Sequence, residues 1–328
     1  MSISIDSILF GTSKSLPIIS TVDHYCGHEK LLIKSLETQI KFNGNFDITF
    51  DLEDGASVGQ EAALRNLFKN TLHSELNKFK KLGIRIHEFT SEHFYEDLKF
   101  IAENCSSAIS HLTVPKIQNH LEANKIIEEI KKIFDSNNSP VPPIHLLIET
   151  IDAVREVYQI ASLPFLRGLD FGCMDYVSSY LGAIPSQAMS SPLQFEHPLL
   201  AKAKSAIVEA CISHGIIPAH NVCVDYQDPE TAFNDALIAK NHFGFLRMWS
   251  IHPNQIKPIQ DAFQVDDNLI KTASDLLTKA KENNWAPISF GGKLHDRASY
   301  RYFWSILKQA ESSNCKIPKS GEELLSLR

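Results

Sequence analysis

The apolar residues of this chain fall into short runs that alternate with longer stretches of helical periodicity. In one such stretch Leu32, Ile33, Leu36 and Ile40 repeat at the spacing of one helix face. Eight runs have the length of buried strands, and this alternation predicts a (β/α)8 TIM barrel. We expect the strands at Pro17–Ser20, Ile48–Leu52, Gly83–Phe89, Leu112–Ile117, Ile144–Ile148, Gly168–Gly172, Ile216–Val222 and Leu246–Ile251.

The chain continues beyond the eighth run with more helical sequence. We expect helices at Asp266–Asn283 and Ala298–Gln309, followed by a polar tail from about Ser312. The loop Ala286–Arg297, with its Gly-Gly and His-Asp-Arg, is elaborate for a simple connection and could fold over a barrel mouth, its own or a neighbour's. The pattern therefore predicts a barrel domain over residues 1–263 and a C-terminal helical extension over residues 264–328.

Two carboxylates stand out in the central strand–helix–strand unit. Glu149 follows the run Ile144–Ile148 directly, and Asp175 comes soon after the run Gly168–Gly172. Side chains at the C-terminal ends of neighbouring parallel strands meet at one rim, where two carboxylates can share a hard divalent cation. The alternative is that each acid only favours the N-terminus of the helix that follows it.

Composition and charge exclude several classes of function. A net charge of −7 and a pI near 6.1 offer no basic excess for nucleic acid. The six cysteines show no CxxC spacing, which is typical of reduced thiols rather than of a disulfide framework. The N-terminus lacks the features of a signal peptide, and no apolar run approaches the roughly 20 residues of a membrane span. We therefore expect a cytoplasmic protein with no membrane partner.

Further charged residues lie within or next to predicted strands. Arg85 interrupts the third run and Lys116 the fourth, and an acidic cluster, Asp51–Asp54, ends the second. Such side chains either reach a ligand at the strand ends or point to solvent. Lys116 could equally bind a substrate carboxylate or pair with the acidic cluster.

Seven stretches resemble one family. They are DLEDGA (Asp51–Ala56), GIRIHEF (Gly83–Phe89), VPKIQN (Val114–Asn119), LLIET (Leu146–Thr150), LDFGCMDY (Leu169–Tyr176), SIHPNQ (Ser250–Gln255) and GGKLHDR (Gly291–Arg297). In this order and at predicted strand ends, they resemble the HpcH/HpaI aldolase and citrate lyase β-subunit superfamily, in particular its malyl-CoA-lyase-like branch. The resemblance covers roughly Pro17 to Ala310.

The resemblance implies a Mg²⁺-dependent carbon–carbon lyase or aldolase. Glu149 and Asp175 match the metal ligands of the family, and Arg85 matches the arginine that holds the carboxylate of a 2-oxo acid. Asp296 matches an acid that a neighbouring subunit supplies for proton transfer. The family assembles as trimers or hexamers, so a homotrimer or homohexamer is expected.

Residues around this centre are implied to line the same site. Glu53 and Asp54 match a motif of the family there, and Lys116 belongs to the matching proline-lysine element. The chemistry is consistent with these groups, because a cation and a guanidinium fork both stabilise a carboxylate and the oxygen beside it.

The sequence departs from the family's pattern in two places. Gln118 stands where an acid is usual, and the N-terminal region lacks an arginine associated with the CoA nucleotide. The expected substrate is therefore a hydroxy-dicarboxylate or its CoA thioester. The alternatives are a CoA-independent class II aldolase for 2-oxo acids and a catalytically silent barrel subunit.

Overall fold

The computed structural model describes residues 4–11 and 15–327, and these fall into two compact units. One unit is Thr21–Ala262, and the other combines the described residues before Thr21 with those from Phe263 onward. The strands are β1 (Val22–Cys26), β2 (Asp47–Asp51), β3 (Leu82–Arg85), β4 (Leu112–Val114), β5 (Ile144–Ile148), β6 (Leu166–Phe171), β7 (Ile217–His220), β8 (Arg247–Ser250), β9 (Ile288–Phe290) and β10 (Lys293–His295).

The first unit is a closed (β/α)8 barrel, as the alternating pattern predicts. Strands β1 to β8 pair in chain order, all parallel, and β8 closes onto β1 with Val22 opposite Met248. The helices along the whole chain are α1 (Ile5–Phe10), α2 (Glu29–Lys41), α3 (Glu61–Leu72), α4 (Phe94–Asn104), α5 (His120–Ser136), α6 (Ile151–Arg155), α7 (Val157–Ala161), α8 (Cys173–Ser178), α9 (Leu193–Glu196), α10 (Pro198–His214), α11 (Pro229–Ile238), α12 (Pro253–Phe263), α13 (Asp267–Glu282), α14 (Arg297–Ser312) and α15 (Lys319–Leu325).

The first strand lies later in the chain than its predicted position. The prediction at Pro17–Ser20 is wrong, and β1 is Val22–Cys26, all five residues of which are buried. Asp23 and His24 break the apolar pattern there, so hydrophobicity alone does not mark the strand. Inside the barrel, Asp23 is bound by Arg247 of β8 through Oδ2 at 2.8 Å.

The lower half of the barrel interior is a polar network rather than an apolar core. Thr49 donates to Oδ1 of Asp23 at 2.9 Å, and its hydroxyl lies 2.7 Å from Nε2 of His111. Burial is the largest single influence on Asp23 and opposes its ionisation, yet the neighbouring groups, Arg247 foremost, together outweigh burial, and the pKa of Asp23 is below its usual value. A buried ion pair of this kind fixes the registry of β1 against β8.

The long segment after β6 contains two short helical turns, Ser186–Met189 and Leu193–Glu196. Its attachment to β7 runs through Lys204 of α10, which is fully buried. The Lys204 ammonium donates to Oδ1 of Asn221 at 2.9 Å and to Oε1 of Gln194 at 3.3 Å. This segment is thus tied to the C-terminal end of a barrel strand.

The second unit has its own apolar core. Ile5 and Leu9 of α1 pack with Trp304 of α14 and with buried residues of α13 and α15. The loop Ala286–Arg297 contains a hairpin of β9 and β10, whose turn residues Gly291 and Gly292 have φ of 57° and 75°. The polar tail expected from Ser312 contains helix α15, so that expectation is wrong. Among the described residues, no helix is long and apolar enough to cross a membrane.

Candidate active site

Five side chains of the site come from neighbouring strand ends of the barrel. Asp51 and Arg85 are the last residues of β2 and β3, Glu149 follows β5 at once, and Asp175 lies in the first turn of α8 after β6. Lys116 comes two residues after β4. Because parallel strands of a closed barrel end at the same rim, the fold brings these groups to one mouth.

The Glu149 carboxylate is buried and closely fitted. Its Oε1 accepts a hydrogen bond of 2.6 Å from the backbone N–H of Lys116, whose φ of 56° is rare outside glycine. A side chain at position 172 would place its Cβ 2.1 Å from Oε2 of Glu149, so only glycine fits there. The unusual backbone at Lys116 and the bare backbone at Gly172 together hold this carboxylate in place.

Burial and a second carboxylate make ionisation of Glu149 costly. Burial is the larger cause and the charge of Asp175 the next, and together they raise the pKa of Glu149 to about 8. Two carboxylates that repel each other at a buried position favour a divalent cation, because the cation compensates the free-energy cost of both negative charges. Within the described residues no cluster of three or more His, Cys, Asp or Glu side chains could hold a metal. A cation held by this pair therefore takes its other ligands from substrate or water, as Mg²⁺ often does.

The Arg85 guanidinium is oriented by Asp51. Its Nε donates to Oδ1 of Asp51 at 2.7 Å, its Nη2 donates to Oδ2, and its Nη1 lies 3.3 Å from a carboxylate oxygen of Glu53. These acids outweigh burial and raise the pKa of Arg85 further above its usual value. Three of the five N–H donors are thus directed at protein acids, which leaves one N–H on each terminal nitrogen for a ligand.

Lys116 pairs with the acidic cluster after β2. Its ammonium contacts Oε1 of Glu53 and lies 3.1 Å from Oδ1 of Asp54. Of the two possibilities that the sequence leaves open for Lys116, the structure shows the ion pair. Glu53 bridges the two cations, because its side chain also faces Arg85.

Asp296 lies in the other unit, at the N-cap of α14. Its Oδ1 accepts from the backbone N–H of Ala298 at 3.0 Å, and Ser299 completes a capping box. Asp296 is exposed. The helix-capping role is thus present, and it leaves the carboxylate accessible.

Sequence reasoning missed two residues of this site. Asp51 stands in the sequence only as one member of an acidic cluster, although inward-facing positions of β2 alternate as Asp47, Thr49 and Asp51, which is the signal that separates it from Glu53. The other residue is Trp249, which stacks on Tyr25 with ring centroids 4.4 Å apart, while the guanidinium of Arg85 lies 5.5 Å from the centre of the Tyr25 ring.

A closed parallel barrel with charged side chains gathered at its C-terminal rim has the arrangement of a TIM-barrel enzyme. Comparison with known proteins assigns the chain to one family. The chain belongs to the HpcH/HpaI aldolase/citrate lyase family, which it matches over residues 36–253.

Its relatives in this family are lyases. The chain is 24% identical over 279 residues to the L-malyl-CoA/beta-methylmalyl-CoA lyase of Rhodobacter capsulatus, covering 80% of this chain and 87% of that one. It is 22% identical over 280 residues to the citrate lyase subunit beta of Leuconostoc mesenteroides subsp. cremoris, covering 83% and 87%.

Solved structures show the same fold. A citrate lyase from Burkholderia xenovorans is 40% identical, with a TM-score of 0.84 over 96% of this chain and 99% of that one. The protein CitE from Mycobacterium tuberculosis, solved with magnesium, acetoacetate and coenzyme A, is 19% identical, with a TM-score of 0.64 over 89% and 98%.

Proposed function

We propose that this protein is a Mg²⁺-dependent carbon–carbon lyase that cleaves or forms a hydroxy-dicarboxylate or its CoA thioester. The observation that carries the proposal is the buried Glu149 beside Asp175, at the same rim as the clamped guanidinium of Arg85. The family supports lyase chemistry, and the magnesium found in the Mycobacterium tuberculosis protein supports the choice of metal.

Glu149 and Asp175 are the residues that would hold the cation. Magnesium bound there would supply a Lewis acid that stabilises negative charge on the substrate oxygens. Arg85 takes the substrate carboxylate with its two remaining N–H groups, and Asp51 fixes the plane of the fork. Glu53 and Lys116 keep the edge of this cluster in place, with Asp54 on the outer side.

Cleavage requires two proton movements. The hydroxyl proton leaves as the C–C bond breaks and the carbonyl forms, and the electron pair of that bond becomes an enolate that must be protonated. We assign protonation of the enolate carbon to Asp296 of a neighbouring subunit in a homotrimer or homohexamer. The exposure of Asp296 supports this role, since a carboxylate used in another subunit's site must be accessible on its own.

One observation favours the CoA-independent alternative. The mouth beside Lys116 is lined by Glu53, Asp54, Glu61 and Glu88, and the phosphates of a CoA nucleotide would be repelled there. A free hydroxy acid that yields a 2-oxo acid brings no nucleotide phosphates to this part of the mouth. The two candidate functions use the same reaction centre and differ only in whether the substrate carries a CoA group that would occupy the mouth.

Calorimetry and turnover test the proposal together. The protein is titrated with glyoxylate, pyruvate, oxaloacetate and acetyl-CoA, each with and without Mg²⁺, and condensation products are then sought. We expect an oxo acid to bind only with the metal, and Glu149→Gln and Asp175→Asn to abolish both binding and turnover. Full turnover by either variant would refute the metal assignment, and acetyl-CoA binding at micromolar strength would decide for the thioester.

A further inference from the structure

A cavity of about 220 Å³ lies beside the reaction centre, at the ends of β2, β3 and β4. Glu53 and Lys116, which form the edge of the Arg85 cluster, also line this cavity, so a ligand inside it touches that edge. The imidazole of His87, two residues beyond Arg85, lines the same cavity.

His87 is held in one orientation by a buried carboxylate. Its Nδ1 lies 2.7 Å from Oδ2 of Asp97 in α4, and its backbone N–H donates to the same oxygen at 3.0 Å. The Asp97 side chain is fully buried, and its Oδ1 accepts from Nη1 of Arg65 in α3 at 2.8 Å. An ionised carboxylate only accepts hydrogen bonds, so with Asp97 paired to Arg65 the ring proton of His87 lies on Nδ1.

This tautomer leaves the lone pair of a neutral His87 on Nε2. The ring of His87 lines the cavity, and no group among the described residues forms a hydrogen bond with its Nε2. A base whose other nitrogen is fixed by a buried acid is the arrangement that general-base catalysis uses.

Charged groups on every neighbouring element act on His87. Burial is the largest single influence and opposes its charge, but Asp97, Glu61 and Glu53 together outweigh burial, so the pKa of His87 is above its usual value. The groups that face or flank the ring are Asp97 and His93 of the α4 end, Arg65 and Glu61 of α3, Glu53 after β2 and Glu88 next in the chain. Most of them stabilise an imidazolium, which is the form that a base reaches after it takes a proton.

We propose that His87 is the general base of the lyase reaction, taking the substrate hydroxyl proton at Nε2 within the barrel's own subunit. The proposal rests on the function proposed above. As the O–H proton moves to Nε2, the C–C bond breaks, its electron pair goes to the enolate, and the hydroxyl oxygen becomes a carbonyl. Asp97 remains ionised and stabilises the imidazolium, so it is a positioning residue, and in the condensation direction the same proton returns to the oxygen.

Two substitutions at this position separate a base from a structural link. In His87→Asn the amide nitrogen can take the place of Nδ1 and keep the bond to Asp97, while Nε2 is lost. In His87→Gln the amide reaches toward the position of Nε2, while the bond to Asp97 is lost. A merely structural His87 predicts that the first variant behaves like the wild type, whereas a base predicts that both variants fail.

The test is kcat against pH from 5 to 9 at saturating Mg²⁺ and substrate, with His73→Asn as the control. His73 is an exposed histidine at the C-terminal end of α3, hydrogen-bonded through Nε2 to a backbone carbonyl. We expect His87→Asn to lower kcat by about 100-fold or more, to lose the wild-type fall in rate at acid pH, and to keep KM and Mg²⁺ affinity within about threefold.

Three results would overturn the proposal. They are a His87→Asn variant that retains more than about a third of the wild-type kcat, one that keeps the wild-type acid limb, and a His73→Asn control that loses as much rate. If the wild type is active and one of these results is found, only the assignment of His87 as the base fails. A wild type that turns over no hydroxy acid or thioester would refute the proposed function as well.

Discussion

Magnesium binding to this barrel should depend steeply on pH. The cause is Glu149, whose pKa is raised to about 8, first by burial and then by the charge of Asp175. The metal binds the ionised carboxylate, so at neutral pH binding must first remove a proton from the free protein. Because this proton must be removed, the apparent affinity for Mg²⁺ should fall by a predictable factor as the pH falls below the pKa of Glu149.

The size of the effect follows from that one pKa. With a free-protein pKa of about 8 for Glu149, the apparent affinity for Mg²⁺ should be about 50-fold weaker at pH 6 than at pH 8. About 0.9 proton should be released for each Mg²⁺ bound at pH 7, and about 0.5 at pH 8. An unperturbed glutamate would release almost none at pH 7.

Calorimetry at pH 6, 7 and 8 measures both quantities, when each titration is repeated in two buffers of different ionisation enthalpy. Asp175→Asn is the informative control, because removing its charge should lower the pKa of Glu149 and reduce the proton release, in addition to weakening binding. Glu149→Gln should release no proton. An affinity that is constant from pH 6 to pH 8, with fewer than about 0.2 proton released at pH 7, would refute the reasoning.

Three further outcomes follow from the structure. Gly172→Ala should weaken Mg²⁺ binding about tenfold in the same calorimetry, because the new Cβ displaces the Glu149 carboxylate; an unchanged affinity would show that Glu149 is not a ligand. Arg85→Lys should lower kcat/KM by about 10- to 100-fold, since one ammonium cannot satisfy both Asp51 and a substrate carboxylate, and an unchanged kcat/KM would remove Arg85 from the site. Asp23→Asn should cost about 3 kcal/mol in urea denaturation by leaving Arg247 buried beside a neutral amide, whereas Asp135→Asn in an exposed helix pair should cost less than about 0.5 kcal/mol; equal losses would contradict the account of the interior pair.

The sequence predicts the barrel well for a physical reason. Strands such as Ile144–Ile148 are buried on both faces, so they appear as unbroken apolar runs that end where the first polar side chain is needed. Glu149 is that side chain. The rule does not give the end of β3, because the run expected at Gly83–Phe89 carries Arg85 inside it, whereas β3 ends at Arg85.

The parts that the sequence does not predict are those where polar groups are buried in pairs. β1 is missed because Asp23 and His24 look like loop residues until Arg247, far away in the chain, is placed against them. The bidentate link between Asp51 and Arg85 joins residues on different elements. The hydrogen bond between His87 and Asp97 does the same. A one-dimensional pattern shows the charge of each residue but not the partner that neutralises it.

The balance of charge at the barrel mouth favours a cation at this site. Among the described residues of the reaction centre itself, five carboxylates are opposed by two permanent cations, Arg85 and Lys116; the acids are Asp51, Glu53, Asp54, Glu149 and Asp175. Asp51, Glu53 and Asp54 engage both cations, so the excess falls on the Glu149–Asp175 pair, where burial makes it most costly. An anionic substrate adds to this excess unless a divalent cation arrives first. The electrostatics of the site therefore favour an ordered sequence, in which a divalent cation would bind first and the anionic substrate second.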